Sequence, residues 1–143
     1  METKKISLKH DRFNSILVET ARGLNGKWDA ETREWLFDEM LAEEVNELAN
    51  VFNSQKVVVK LTAKTLIEKK DITFCGYTIS RCFNNYSAAL GDGVALIFGK
   101  YKAGGSNKYP RVSVEAGSVF KLKIPQAVLE KYVETDDFSF EIQ

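Results

Sequence analysis

Histidine is nearly absent from this chain: 143 residues hold one, His10, with two cysteines and two prolines. A single imidazole leaves no His-rich metal spacing, and His10 lies far in sequence from either cysteine. It stands beside Asp11 at an expected helix start, so we read it as a solvent-exposed neighbour of the cap rather than a base. Cys75 and Cys82 are seven residues apart, which on one regular strand points them to opposite faces. Two free buried thiols in a reducing compartment are therefore expected, not a disulfide or a shared metal. Nucleophile-elbow and G-x-x-x-x-G-K-[ST] patterns are both missing, as is an isolated carboxylate pair in an apolar setting. No run approaches the ~20 apolar residues of a membrane span, and the start METKKISLKHD lacks the apolar core of a signal peptide. A cytoplasmic protein is expected, in the host's cytoplasm if a phage encodes it. No cofactor, no metal and no turnover are expected.

Net charge is also missing, because 20 basic residues balance 20 acidic ones. That argues against bulk nucleic-acid binding. The distribution is uneven, however. Residues 1–55 hold 7 basic and 11 acidic residues, whereas 56–143 hold 13 and 9. Lys100 to Lys123 holds six basic residues against Glu115 alone, while the tail from Gln126 holds Lys131 and five acids. Such a basic strip leaves room for a local anion site. Apolar residues at 44% and charged residues at 28% are ordinary for a soluble globular chain.

Periodicity supplies the elements. Ile6 and Leu8 alternate with polar residues in a short strand, and Asp11 offers an N-cap to a helix carrying Phe13, Ile16, Leu17, Ala21 and Leu24, which ends near Gly23 or Gly26. Trp28, a bend over Asp29 to Thr32, then Trp35 and Phe37 read as a hairpin. Asp38 caps a second helix with a Leu41, Val45, Leu48 and Phe52 seam and an acidic face of Glu39, Glu43, Glu44 and Glu47. Lys56 to Leu61 is a buried strand that closes the first half. Beyond Thr62 the chain turns to β: a short strand at Thr65 to Ile67, a turn at Lys69 to Asp71, and a central strand from Ile72 to Phe83. A loop from Asn84 to Gly93, a strand from Val94 to Tyr101 and a second glycine loop follow. Paired runs lie near Val112 to Val114 and Val119 to Ile124. Pro125 opens a short helix with Val128, Leu129 and Tyr132 on one side, and Phe138 to Ile142 is a final strand. The fold class expected is α+β, with a β-α-β-β-α-β N-terminal half packed on a mainly antiparallel β C-terminal half that has one short helix.

Arg81 to Arg111 is the stretch richest in ligand-binding chemistry. It sets two glycine-rich segments, Gly91-Asp92-Gly93 and Gly104-Gly105-Ser106, about the apolar run Val94 to Phe98. Glycine pairs let amides turn toward an anion. Expected ligand contacts are Arg81, Phe83, Asn84, Asp92, Gly104, Gly105, Ser106, Asn107, Lys108, Tyr109 and Arg111. Phe83 or Tyr109 would stack on a base, and Arg81, Lys108 and Arg111 would meet phosphates. The amides of Gly104 to Ser106 would cradle an oxygen, and Asp92 or Asn84 would receive ribose hydroxyls. Two plain hairpin turns with solvated lysines explain the same residues, and that alternative stays open.

Two resemblances sharpen this. Residues Ile6 to about Val59, above all Asp29-x-x-Thr32-Arg33-x-Trp35-x-Phe37 followed by an acidic helix, resemble the HARP module found beside the motor of annealing helicases. They are similar also to the small glycine-lysine-tryptophan-aspartate modules of mobile-element proteins. Residues 1–62 are thus expected to form a HARP-like subdomain and 63–143 a β-rich ligand-binding subdomain, tightly packed or forming one domain. The overall layout, with the Arg81 to Arg111 stretch, resembles the phage anti-Thoeris proteins. That likeness implies an oligomeric, non-enzymatic sponge for a cyclic ADP-ribose isomer or a cyclic oligonucleotide. The HARP likeness implies instead a module that binds single-stranded or forked DNA through Arg33, Trp35 and neighbouring lysines. A third possibility is an inhibitor of a host protein, and in each case a homo-oligomer is expected.

Overall fold

The computed structural model describes residues 4–143. The chain is a mixed α+β protein dominated by antiparallel sheet. Its elements are β1 (Lys5–Leu8), α1 (Ser15–Gly23), β2 (Lys27–Asp29), β3 (Glu34–Asp38), a 3₁₀ turn (Glu39–Leu41), α2 (Ala42–Phe52) and β4 (Lys56–Ala63). After these come β5 (Ile67–Lys69), β6 (Asp71–Phe74), β7 (Tyr77–Asn84), β8 (Ser87–Leu90), β9 (Ala95–Phe98) and β10 (Tyr101–Gly105). The chain continues through β11 (Pro110–Val114), β12 (Val119–Pro125), α3 (Gln126–Tyr132) and β13 (Phe138–Ile142). No described helix is long and apolar enough to cross a membrane.

Four small sheets share one core. Their orders are β1-β3-β2, β10-β11-β5, β13-β4-β12-β9 and β6-β7-β8. The β2–β3 hairpin forms where Trp28 and Trp35 sit directly opposite each other. On α2 the expected seam is buried at Val45, Leu48 and Phe52, and its acids face outward. β4 pairs along its length with β12 and β13, so the strand at the end of the first sixty residues is an inner strand of a sheet whose other members, β9, β12 and β13, lie between residues 95 and 142. Buried side chains run continuously from Leu8 and Phe37 through Leu61 and Ile79 to Phe138.

Several boundaries differ from the sequence expectation. Asn14, not Asp11, caps α1: its backbone is extended and its side chain accepts from the amides of Ile16 and Leu17. Phe13 consequently stays outside the helix and is exposed. Asp11 is drawn away instead into an ion pair with Lys56. The run Ile72 to Phe83 is a hairpin, because Cys75 and Gly76 both take positive φ and turn the chain between β6 and β7. The expected loop at Asn84 to Gly93 contains β8, and the expected strand Val94 to Tyr101 breaks at Gly99-Lys100. Lys69 and Asp71 belong to strands rather than a turn, and Pro125 is the N-cap of α3.

Candidate functional site

The site is set by the clamp between the start of α1 and the β6–β7 turn. While the Asn14 carbonyl oxygen caps the helix, its amide nitrogen donates to the Cys75 carbonyl at 2.9 Å, and the Ser15 amide donates to the Gly76 carbonyl at 2.9 Å. Gly76 has φ +84, and a Cβ there would lie 2.3 Å from the Asn14 Oδ1, so only glycine permits this approach. The preceding residues are thereby laid across Tyr77, the first residue of β7. Arg12 stacks its guanidinium 4.0 Å from the Tyr77 ring centroid and donates through Nη2 to the Lys123 carbonyl. Its Nε is buried without a partner.

His10 completes the clamp and corrects the expectation of a solvent-exposed residue. Its side chain is only 4% exposed. Asn53 donates its amide to the Lys9 carbonyl at 2.9 Å, which turns its Oδ1 toward His10 Nδ1 at 3.2 Å. That geometry assigns the proton to Nδ1 and leaves Nε2 to accept from the Tyr77 hydroxyl at 3.0 Å. Burial holds the imidazole below its ordinary pKa of 6.5, against the opposing effect of the hydrogen bond it donates to Asn53. Burial likewise raises the Tyr77 phenol and pushes the Cys75 thiol up to about 12, which leaves that cysteine inert at neutral pH. Both cysteines are free and buried.

Two adjoining hollows open around this clamp, of about 510 and 310 Å³. They share Arg12, Phe13 and Asp92 as walls. In the larger hollow α1 presents Asn14, Val18 and Arg22, spaced four residues apart on one face, to the β2–β3 hairpin. Trp35 is its buried floor, and Trp28 is a wall 52% exposed, with ring centroids 5.7 Å apart. Arg33 reaches it from the hairpin turn, where its φ is +57. In the smaller hollow Arg81 and Phe83, two apart on β7, line one side, with the guanidinium 4.9 Å from the ring centroid. Gly91 closes it: a Cβ there would stand 1.8 Å from the Thr78 carbonyl oxygen.

The charge of this cleft is unusual in kind. Of the chain's five arginines, Arg12, Arg22, Arg33 and Arg81 line it, with both tryptophans where Arg22 and Arg33 enter, while none of the 15 lysines does. Among the described residues the ion pairs within 4.0 Å are Asp11 with Lys56 and His10, and Lys69 with Asp137. The four cleft guanidiniums therefore have no carboxylate partner, and neither does Asp92 between them. Four guanidiniums face two carboxylates, Asp11 and Asp92, in the lining, an excess of positive charge that favours an incoming anion, and planar guanidinium forks fit phosphate or carboxylate.

Arg81, Phe83 and Asp92 of the expected site come together here. The remainder lie elsewhere. Asn84 accepts from the Tyr86 amide at 3.0 Å and shapes the β7–β8 turn. Gly104 and Gly105 are not in a loop but in β10, opposite Arg111 and Pro110. The Ser106 amide, expected to cradle an anion, donates to the Tyr109 carbonyl at 3.2 Å and its hydroxyl accepts from the Tyr109 amide at 3.1 Å. Asn107, Lys108 and Tyr109 complete that exposed hairpin end, with Lys108 5.7 Å from the Tyr109 ring centroid. Arg12, Arg22 and Phe13 were not expected in a site, because isolated cations near a helix carry no motif. Among the described residues no group of three or more His, Cys, Asp or Glu is placed to hold a metal. The chain matches no family model, no curated protein and no solved structure.

Proposed function

We propose that this protein binds and sequesters a small anionic nucleotide, a cyclic ADP-ribose isomer or a cyclic oligonucleotide used as an immune signal, without turning it over, as a phage or mobile-element anti-defence protein. One observation carries this reading: four guanidiniums outside any ion pair within 4.0 Å among the described residues and the open aromatic faces of Trp28 and Phe83 converge on one cleft. Arg12, at the junction of the hollows, meets phosphate, with Arg33 or Arg81 as the second fork. Trp28 or Phe83 stacks on the base, and Asp92 accepts ribose hydroxyls. The hollows fall within the usual size of small-molecule sites. Binding without turnover is supported by the engagement of His10, whose two ring nitrogens are held by Asn53 and Tyr77. In this reading residues 1–62, as the β-α-β-β-α-β half, supply α1 and the hairpin, residues 63–143 supply β7 and Asp92, and the ligand is held between them. Arg81, Phe83 and Asp92 enter the site from the sequence, and the β10–β11 hairpin end stands outside it.

The half-exposed Trp28 beside Arg33 also favours a second reading, stacking of a DNA single strand. Thermal melting against cyclic ADP-ribose isomers, cyclic di- and trinucleotides and a short DNA fork separates the two. A ligand at ~100 times its dissociation constant raises stability by about 2.7 kcal/mol. Sequestration requires a shift with one small nucleotide that is recovered unchanged after heating. A salt-sensitive shift with the fork alone would transfer the function to DNA. No shift with any of them would overturn both readings in favour of a protein partner.

A further inference from the structure

Edge strands are normally protected by charge or cover, and one edge of this molecule has neither. Among the edge strands only β8 and β9 lack a charged residue. β8 is half-buried with β10 packed beside it. β9 is not covered: Phe98 is 69% exposed and Ile97 54%. No charge or proline interrupts Gly93 to Gly99. Beside this edge lies a hollow of about 520 Å³ whose apolar wall is Leu66, Leu96 and Tyr101. Gly99 forms part of its wall, so Phe98 stands next to the hollow without filling it.

We propose that β9 and this hollow form a two-fold interface between two copies of the chain, with Phe98 of each copy seated in the hollow of the other. A two-fold contact requires a surface that carries both the projection and its receptacle, and this one does. The rim suits the same partner. Lys100 and Lys102 share it with Glu68 and Glu115, and none of the four is in an ion pair within 4.0 Å among the described residues. A two-fold axis brings acids of one copy to lysines of the other around an apolar centre, the arrangement of ordinary protein interfaces. The opposite edge of the same sheet, β13, is a poorer self-partner, because it carries Glu141 and follows Asp136, so self-pairing gathers acids along the contact. β9 spans only four residues, so side chains rather than a long run of backbone bonds carry the contact.

Sedimentation equilibrium of the full chain tests this, independently of any ligand. The wild type is expected to dimerise with concentration, and Phe98→Glu to weaken dimerisation by about 30-fold or more, as loss of a central aromatic anchor does. Phe140→Glu, on the β13 edge, is expected to leave it unchanged. A charge exchange checks the rim without touching the apolar centre. A variant with Lys100→Glu and Lys102→Glu, and another with Glu68→Lys and Glu115→Lys, should each be monomeric alone and dimerise when mixed. A wild type that stays monomeric to about 100 µM overturns the interface. So does a dimer that Phe98→Glu leaves intact, one that Phe140→Glu dissociates, or a charge-exchanged pair that fails to associate.

Discussion

The arginine cleft and the lysine-bearing face of the four-stranded sheet use the same charge in opposite ways. On β4 and β12, Lys60 and Lys121 sit opposite each other, with Lys123 further along β12. A sheet face like this needs long flexible side chains that cover apolar groups such as Val58 and Val119 and keep their ammonium groups in water. The cleft instead holds planar guanidiniums against aromatic rings and a backbone carbonyl, in fixed directions. Positive charge is spread into solvent in one region and held in fixed directions in the other. A net charge of zero conceals both.

Substitution of Arg12 should break this contrast most severely. Arg12→Ala is expected to lower nucleotide affinity by about 10- to 100-fold, the range for a hydrogen bond to a charged group. It should also cost about 1–2 kcal/mol of stability through the lost Tyr77 stacking and the lost bond to Lys123, measured by urea unfolding. Arg12→Lys should keep the charge and still lose most of the affinity, since an ammonium cannot reproduce the fork. Trp28→Ala ranks next. Loss of one stacking face should weaken binding by ~1–3 kcal/mol in titration calorimetry, with little change in melting temperature because the ring is half exposed. Equal affinity in Trp28→Ala would exclude that ring from the site.

Acid should act on the cleft's foundation before it touches the sheet face. His10 is neutral when folded, with its pKa below 6.5, whereas the unfolded chain takes up a proton near 6.5. The unfolded state therefore binds more protons in the interval just below 6.5, and stability falls as pH drops through it; above 6.5 this group contributes no slope. The Asp11 carboxyl, lowered from 3.8 mainly by its hydrogen bond to Lys56, adds a second loss only below that value. Urea midpoints between pH 7 and 5 should decline in the wild type and flatten in His10→Gln. The smallest effect is expected on the lysine face: Lys121→Gln with Lys123→Gln should shift stability by no more than about 0.5 kcal/mol and leave nucleotide affinity unchanged. A large loss of binding there would erase the distinction between the two regions.

The sequence shows most of the elements and little of the cleft. The Leu41, Val45, Leu48 and Phe52 seam and the Trp28 to Phe37 hairpin are local patterns, and local patterns can be read. The β6–β7 turn is hidden because cysteine at positive φ is not a turn signal, and Cys75 adopts it only with Asn14 and Ser15 bonded to that turn. His10 is misjudged because its shielding comes from Asn53 and Tyr77, 43 and 67 residues away. Gly104 and Gly105 suggest a loop by composition, yet Arg111 and Pro110 across the ladder draw them into a strand. Arg81, Phe83 and Asp92 are recoverable because they lie close in sequence. Arg12 and Arg22 join them only through the docking of α1.

The central place of β4 has a consequence for how the chain is made. Val57 to Leu61 leave the ribosome as a β-branched, apolar run, yet their neighbours on either side are β12 and β13, near residues 119–142. During synthesis this segment has no partner until almost the whole protein has emerged. Long-range pairings of that kind fold slowly and leave sticky strands uncovered in the interval. A nascent chain stalled before β12 should engage chaperones, and one released with β13 complete should not.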